Sequence, residues 1–286
     1  MDQKMEQLRQ LAAQIRIRTI RCMESAGGGH IGGAMSIADV LAVLYGKVMS
    51  YRASDPMWLD RDRLVVSKGH SGPAVYAALS LSGFFSEELL NTLNRGGTSL
   101  PSHCDRLKTP GIDMTTGSLG QGISCACGIA KALQTRNCAS WVYVIMGDGE
   151  LQEGQVWEAV QFAAHQRLDH LIIFVDNNKR QLDGTLEEIC NPFDLEEKFR
   201  AFGCSCRKVN GYMVEEIDQA IAAEKEAAGR PGVIILDTYK GIGCDFAEKA
   251  SFNHFMTITK EEADAAEIEI LRRLKQGIVA KEEAYV

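Results

Sequence analysis

The chain alternates between short apolar runs and longer segments in which apolar residues recur every three to four positions. The short runs are rich in Val and Ile and predict buried strands, whereas the longer period predicts helices with one apolar face. The predicted strands are Arg63–Ser67, Trp141–Met146, Leu171–Val175, Cys206–Val209 and Val233–Thr238. The predicted helices are Gln7–Glu24, Ile37–Val48, Gly72–Leu81, Gly120–Thr135, Val156–Gln166 and Val214–Ala228.

Apolar strands separated by helices predict an α/β fold, with a doubly wound, mostly parallel sheet covered by helices on both faces. The 286 residues contain no repeat, low-complexity tract or linker, so we expect a single domain over residues 1–286. Ligands of such sheets bind at the carboxyl ends of the strands. We therefore expect the functional residues in the loops after Ser67, Met146, Val175 and Thr238.

Composition narrows the class of partner. The net charge of −7 and the absence of a basic stripe argue against nucleic acid, and an anionic cofactor would need backbone N–H groups or a metal. Nine cysteines without a C-x-x-C pair predict free thiols in a reducing cytoplasm. The amino terminus is charged rather than signal-like, and we expect no apolar stretch long enough for a membrane span.

The segment Gly27–Gly32, GGGHIG, satisfies the G-x-G-x-x-G pattern of dinucleotide-binding proteins. It follows a predicted helix rather than a strand, so the strand-turn-helix context of that motif is missing. We interpret these glycines instead as a loop in which the backbone approaches a ligand closely.

The strongest chemical signal is an acidic residue between glycines directly after an apolar strand. Asp148 lies in the segment GDGELQEG, and Asn178 follows the next apolar strand in the segment DNNK, 30 residues later. One strand-helix-strand crossover has roughly that length, so both side chains should stand at the ends of neighbouring strands. Two oxygen ligands completed by phosphate and water suit Mg²⁺, with Ca²⁺ or Mn²⁺ as alternatives.

This arrangement resembles the motif of thiamine-diphosphate enzymes, and the surrounding segments are similar to transketolase. They are GDGELQEGQVWEA at Gly147–Ala159, GSLGQG at Gly117–Gly122 and LDG at Leu182–Gly184. The resemblance implies the thiamine-diphosphate-binding fold and thiamine diphosphate as cofactor. It implies that Asp148, Asn178 and the backbone carbonyl of Arg180 bind the metal.

The resemblance also assigns roles around the cofactor. It implies that Glu153 lies at an interface between chains, near the carboxylate that activates the cofactor, and that Glu158 supports this acid network. The implied cofactor-binding residues are His70, Gly117, Ser118, Leu119, Gly147, Asp148, Gly149, Glu150, Glu158, Asn178, Leu182 and His254.

Four of the six histidines lie in loops rich in small residues, and the resemblance places all four in the site: His30, His70, His103 and His254. Imidazole titrates near neutral pH, as proton transfer to and from substrate hydroxyls requires. His30, His103 and His254 are the implied catalytic histidines, together with Glu153. His165 and His170 match no motif and are expected at the surface.

Two loops depart from the family pattern. Ser102-His103-Cys104 stands where Gly-His-Pro is usual, and Asn253-His254-Phe255 stands where Trp-His-Gly is usual. Pentose phosphates are the default substrates of the family. The altered loop around His103 leaves a branched-chain sugar phosphate or a sulfosugar as alternatives.

The resemblance covers only the diphosphate-binding part of a transketolase. The pyrimidine-binding domain and its activating glutamate are missing, so this chain is expected to be the amino-terminal subunit of a two-subunit enzyme. Its partner would carry the pyrimidine-binding and carboxyl-terminal domains, in an (AB)₂ heterotetramer that transfers a two-carbon ketol unit between sugar phosphates. The alternatives are a deoxyxylulose-phosphate synthase-like enzyme, an α-ketoacid dehydrogenase E1α-like subunit, and a catalytically silent regulatory subunit.

Overall fold

A computed structural model describes residues 3–279, so the ends of the predicted domain, residues 1–2 and 280–286, lie outside the described residues. The strands are β1 Gly28–Gly29, β2 Arg63–Val66, β3 Val142–Gly147, β4 Leu171–Asn177, β5 Ser205–Asn210, β6 Gly232–Asp237 and β7 Met256–Thr257. The helices are α1 Gln3–Ser25, α2 Ile31–Met35, α3 Ala38–Val43, α4 Gly72–Leu81, α5 Gln121–Thr135, α6 Gly154–His165, α7 Leu186–Ile189, α8 Leu195–Ala201, α9 Val214–Glu226, α10 Asp245–Lys249 and α11 Lys260–Gln276. A π-helical turn spans Leu44–Val48, and 3₁₀ turns span Gly69–Ser71, Glu87–Thr92 and Gly149–Gln152.

The main sheet has five strands in the order β2-β3-β4-β6-β5, and every neighbouring pair is parallel. The predicted doubly wound α/β fold is confirmed. The register pairs Gly147 with Asp176, and Asn177 with Asp237, so β3, β4 and β6 end at the same edge. That edge places the loops after these strands side by side.

Alternate residues of each strand enter two separate cores. Tyr143 and Ile145 pack in the larger core on one face, with residues of α1, α3, α4 and α9. Val142 and Val144 pack in the smaller core on the other face, with residues of α5, α6 and α8. Because successive strand residues point to opposite faces and both faces are covered, the central strands are apolar throughout.

A second, two-stranded sheet joins the two ends of the chain. Strand β1 pairs antiparallel with β7, with Gly28 opposite Thr257 and Gly29 opposite Met256. A Cβ atom at Gly28 would lie 2.4 Å from the carbonyl oxygen of Met256. Gly28 and Gly32 of the GGGHIG segment thus accommodate another stretch of backbone, since a Cβ atom at Gly32 would lie 2.4 Å from the carbonyl oxygen of Asn253. The close approach of this segment to a ligand stays a prediction.

The helix predictions differ from the structure near the amino terminus and at helix α11. The single helix predicted over Ile37–Val48 is α3 followed by the π-helical turn, and α11 was not predicted at all. Helix α11 begins with a capping box, in which Thr259 and Glu262 satisfy each other's backbone N–H groups. Gly277, in the left-handed conformation, ends it.

The segment Ile31–Val48 has the length and apolarity of a membrane span, with a mean hydropathy of 1.4 over 18 residues. The expectation that no stretch reaches this length is therefore wrong. However, 83% of the segment is buried inside the protein, which is the behaviour of a core segment in a globular fold. The nine cysteines are all free, as predicted; Cys190 is exposed, Cys125 and Cys138 are half-buried, and the others are buried.

Candidate functional site

Asp148 lies at the carboxyl end of β3 and is only 2% exposed. One of its carboxylate oxygens accepts a hydrogen bond from the backbone N–H of Gly149 at 2.8 Å, and the other accepts from that of Lys179 at 2.7 Å. The loops after β3 and β4 are thereby joined. Burial and the nearby carboxylate of Asp176 raise the pKa of Asp148 to about 7, which indicates a carboxylate whose charge the protein itself does not neutralise.

Asp176 is fully buried and connects three elements. One of its carboxylate oxygens accepts from the hydroxyl of Ser36 at 2.7 Å, from the amide of Asn178 at 2.8 Å and from the ammonium of Lys68. Its other oxygen is buried without a hydrogen-bond partner among residues 3–279. The amide oxygen of Asn178 accepts from the backbone N–H of Arg180 at 3.2 Å, so both ends of this amide are fixed.

The arrangement fits a hard divalent cation completed by phosphate. Asp148, Asn178 and the carbonyl of Arg180 offer only oxygen, the ligand type that Mg²⁺ prefers. Within the described range 3–279, no three or more His, Cys, Asp or Glu side chains form a self-sufficient metal site. A cation here would therefore need further ligands, for which phosphate and water oxygens are suitable, and the metal itself stays a prediction.

Glu150 holds the loops around Asp148 in place. Its carboxylate accepts from the backbone N–H of Gly120 at 2.8 Å, from that of Gly147 at 3.1 Å and from the hydroxyl of Ser67. Burial raises its pKa. Glu150 thus joins the ends of β2 and β3 to the start of α5, while its direct contact with the cofactor stays a prediction.

The four predicted histidines form one cluster at this edge of the sheet. The ring centroid of His30 lies 5.4 Å from that of His70, 5.6 Å from that of His103 and 5.2 Å from that of His254. His70 and His254 are 5.0 Å apart. The structure thus brings together four residues that the sequence places between positions 30 and 254.

The surroundings of all four imidazoles favour their neutral form. Burial lowers the pKa of each of them, and the ammonium of Lys240 adds to this for His30 and His254. The pKa of His254 falls to about 4. Neutral imidazoles can both accept a proton and donate a hydrogen bond, as groups that handle substrate hydroxyls must.

Two buried lysines of the site belong to none of the motifs quoted above. Lys68, 2% exposed, forms its ion pair with Asp176 and also donates to the carbonyl of Gly33 at 2.7 Å. Lys240 donates to the carbonyl of Gln181 at 3.0 Å and contacts Nδ1 of His254 at 3.2 Å. Both lie within three residues of the ends of strands β2 and β6, a position that does not by itself distinguish them from solvated lysines. They supply local positive charge in a chain whose net charge is negative.

The remaining predicted residues differ in their surroundings. A Cβ atom at Gly117 would lie 3.1 Å from Cδ2 of His103, so this glycine is in contact with the histidine cluster. Leu182 is apolar and 50% exposed, and its contact with the cofactor stays a prediction. Ser118, Glu153 and Glu158 are exposed, and Leu119 is half-buried.

The two histidines outside the motifs behave differently from each other. His165, at the end of α6, is exposed as predicted. His170 is half-buried, and its ring stacks on Trp141 with a centroid distance of 4.5 Å. This stack lies at the amino-terminal ends of β3 and β4, remote from the carboxyl edge where the other four histidines meet.

Comparison with known proteins decides the family. The family model described as the thiamine diphosphate binding domain of transketolase matches residues 7–274. The chain belongs to the transketolase family. It is 50% identical to the 6-deoxy-6-sulfo-D-fructose transketolase subunit of Clostridium sp. (strain MSTE9), over 94% of this chain and 98% of that protein. It is 34% identical to an apulose-4-phosphate transketolase subunit of Phocaeicola vulgatus, over 91% of this chain and 92% of that one.

Solved transketolase structures confirm the thiamine-diphosphate-binding fold. A transketolase from Pichia stipitis superposes with a TM-score of 0.86 at 28% identity, over 98% of this chain but only 42% of the other. The chain thus spans less than half the length of the complete transketolase chains it matches, whereas it matches transketolase subunits over nearly their whole length.

Proposed function

We propose that this chain is the diphosphate-binding subunit of a two-chain transketolase that transfers a two-carbon ketol unit from a ketose to an aldose. The observation that carries this proposal is the end-to-end match to proteins named as transketolase subunits, in a chain that keeps a complete cluster of four histidines. The cluster also argues against a catalytically silent subunit, because such a subunit has no need of it.

One group of residues in this chain would bind the metal and the diphosphate, and a second group would transfer protons. Asp148, Asn178 and the carbonyl of Arg180 would hold Mg²⁺, or Ca²⁺ or Mn²⁺, against the diphosphate, with Lys68 and Lys240 adding positive charge. Thiamine diphosphate, when bound, supplies the carbon nucleophile and accepts electrons from the breaking carbon–carbon bond.

The histidines bind the sugar hydroxyls and move their protons. The rings of His103 and His254 lie within 5.6 Å of that of His30, and the lowered pKa of each of the three favours its neutral form. A neutral imidazole can take a proton from a hydroxyl or orient one by a hydrogen bond. The pKa of His70 is lowered well below its usual value by burial and by the ammonium of Lys68, which pairs with Asp176.

A partner chain would complete the site. Glu153 is exposed at the start of α6, and Glu158 is exposed within that helix, so a second chain can reach both. We expect the partner to supply the pyrimidine-binding and carboxyl-terminal domains in an (AB)₂ heterotetramer. We also propose a cytoplasmic location, which nine free thiols favour.

The proposed donor is an unbranched 6-deoxy-6-sulfo ketose. The 50% identical relative is named for 6-deoxy-6-sulfo-D-fructose, whereas the proteins named for apulose 4-phosphate are 34–35% identical. The second candidate donor is therefore apulose 4-phosphate, a branched ketose.

The test is reconstitution. The purified chain, its partner chain and the mixture are assayed with thiamine diphosphate and Mg²⁺ against a panel of ketose donors and aldose acceptors. We expect ketol transfer only from the mixture. Full activity of this chain alone refutes the two-chain proposal, and decarboxylation of pyruvate instead of ketol transfer would favour the synthase-like or dehydrogenase-like alternatives.

A further inference from the structure

Phe255 lies against the histidine cluster because of the pairing between β1 and β7. Gly28 is opposite Thr257 and Gly29 is opposite Met256, so the antiparallel register brings His30 and Phe255 opposite each other at the end of this ribbon. Their rings meet edge to face, with centroids 5.2 Å apart and an interplanar angle of 85°.

The segment that carries Phe255 is held firmly in place. The carbonyl of Asn253 accepts a hydrogen bond from the backbone N–H of Gly32 at 3.0 Å. The buried side chain of Asn253 donates to the carbonyls of Lys240 and Ala247, at 2.8 and 2.9 Å. These bonds attach the segment to the loop after β6 and to α2.

The ring of Phe255 is 47% exposed despite this rigid attachment. Packing into the core therefore does not account for its position. The ring adds an apolar wall to a cluster whose other rings are imidazoles, since His30 is flanked at 5.2 Å by Phe255 on one side and by His254 on another. A sugar chain presents both hydroxyls and C–H groups, which suit imidazoles and an aromatic wall respectively.

We infer that Phe255 is a specificity-determining residue that narrows the space through which a sugar reaches His30. An unbranched ketose chain passes along its ring. A ketose with a branch next to its carbonyl carbon is excluded by it. This inference rests on the proposed ketol transfer. It assigns the choice between the two candidate donors to one side chain of this subunit.

The experiment compares Phe255→Ala and Phe255→Tyr in the reconstituted two-chain enzyme, with 6-deoxy-6-sulfo-D-fructose and apulose 4-phosphate as unbranched and branched donors. For Phe255→Ala we expect KM for the unbranched donor to rise roughly fivefold, with kcat little changed, because one aromatic contact is lost. We expect the preference for the unbranched donor to fall roughly tenfold or more. Phe255→Tyr should keep the wild-type preference because its ring is retained.

Phe193→Ala is the matched control, since Phe193 is 77% exposed and makes no ring contact with the histidines among the described residues. Thiamine diphosphate affinity and assembly of the two chains are measured for every variant, and we expect both to be unchanged. An unchanged donor preference in Phe255→Ala overturns the inference, as does a wild-type enzyme that prefers the branched donor. A loss of cofactor binding or assembly in Phe255→Ala overturns it too, because the role would then be structural. A wild-type complex that transfers no ketol unit from any ketose overturns the proposed function and this inference with it.

Discussion

The side-chain amide of Asn178 donates to the carboxylate of Asp176 at 2.8 Å, and this bond decides which end of the amide faces the loop after β3. With its nitrogen committed to Asp176, the amide presents its oxygen, the atom that a hard cation binds. Asp176 thus acts on the proposed metal through Asn178, as a positioning residue.

Asp176→Asn should weaken metal binding by roughly 10- to 100-fold, because an amide at position 176 no longer imposes one orientation on Asn178. Calorimetric titration of Mg²⁺ in the presence of thiamine diphosphate measures the effect. Asp60→Asn, which removes an exposed carboxylate near the opposite end of the sheet, is the control.

The Asp176 substitution also leaves Lys68 buried without its counter-charge, which can destabilise the chain. The double variant Lys68→Met with Asp176→Asn removes both charges, and its melting temperature should lie closer to that of the wild type. Wild-type metal affinity in a folded Asp176→Asn variant would contradict the positioning role.

Metal binding should depend on pH through Asp148. Its pKa in the free chain is raised to about 7, so the carboxylate is largely protonated below that pH and must lose its proton to bind a cation. We expect the apparent metal affinity to fall about tenfold per pH unit below pH 7 and to level off above about pH 8. In Asp148→Asn, binding should be much weaker and this pH dependence absent. An affinity that is flat between pH 5.5 and 8 would contradict the assignment.

In the absence of metal, the same raised pKa works against stability at high pH. A carboxyl group whose folded pKa lies above its unfolded value stabilises the fold below the unfolded pKa, and this contribution is lost as pH rises through about 7. We therefore expect Mg²⁺ with thiamine diphosphate to raise the melting temperature more at pH 8 than at pH 6, which thermal denaturation at the two pH values measures.

Gly117→Ala should disturb the histidine cluster without unfolding the chain. Gly117 has φ 156°, and an added Cβ atom would lie 3.1 Å from the ring of His103, so the ring must move. We expect kcat/KM of the reconstituted enzyme to fall roughly tenfold, because small displacements of reacting groups are costly. Gly96→Ala is the matched control, since a Cβ atom there meets nothing within 4 Å.

Substitution by glutamine should destabilise the isolated chain at Glu150 but not at Glu153. Glu150→Gln replaces one of two buried carboxylate oxygens by an NH₂ group, which cannot accept a hydrogen bond. At least one of the three hydrogen bonds is then lost, so the isolated chain should lose roughly 1–3 kcal/mol in free energy of unfolding. Glu153 is exposed, so Glu153→Gln should leave the melting temperature of the isolated chain within about 1 °C of the wild type.

In the two-chain enzyme Glu153→Gln should lose ketol-transfer activity despite its wild-type stability, because of the proposed place of Glu153 at the interface between the chains. Thermal denaturation of the isolated chain and activity of the mixture separate the two effects. A destabilised Glu153→Gln chain, or a fully active complex containing it, would contradict the proposed interface role.

The parts of the fold that local pattern encodes were predictable from the sequence. All five strands of the main sheet and helix α4 lie where periodicity places them, because each is a continuous apolar run or a regular repeat. The order in which β5 and β6 join the sheet has no local signature, since it depends on long-range pairing. Helix α11 had a local signal, the Thr259–Glu262 capping box, that periodicity alone did not use.

The residues of the site that belong to a sequence motif were predictable, whereas those recognised only by their packing were not. The first kind are Asp148 and Asn178, which lie in motifs, and the four histidines, which lie in loops rich in small residues. Lys68 and Lys240 belong to the second kind, because a lysine after a strand is usually solvated. Only the structure shows that they are buried. The contact between His30 and Phe255 depends on a two-residue strand pair, which is too short to leave a periodic pattern.

The ribbon formed by β1 and β7 also determines at which stage of translation the histidine cluster can form. It joins Gly28–Gly29 to Met256–Thr257, so the imidazole of His30 meets that of His254 only after the segment that carries His254 has left the ribosome. Contacts between residues so distant in sequence close late, because the loop-closure entropy must be overcome first. A nascent or truncated chain ending before Met256 can form most of the parallel sheet, yet it has no complete histidine cluster to offer a substrate.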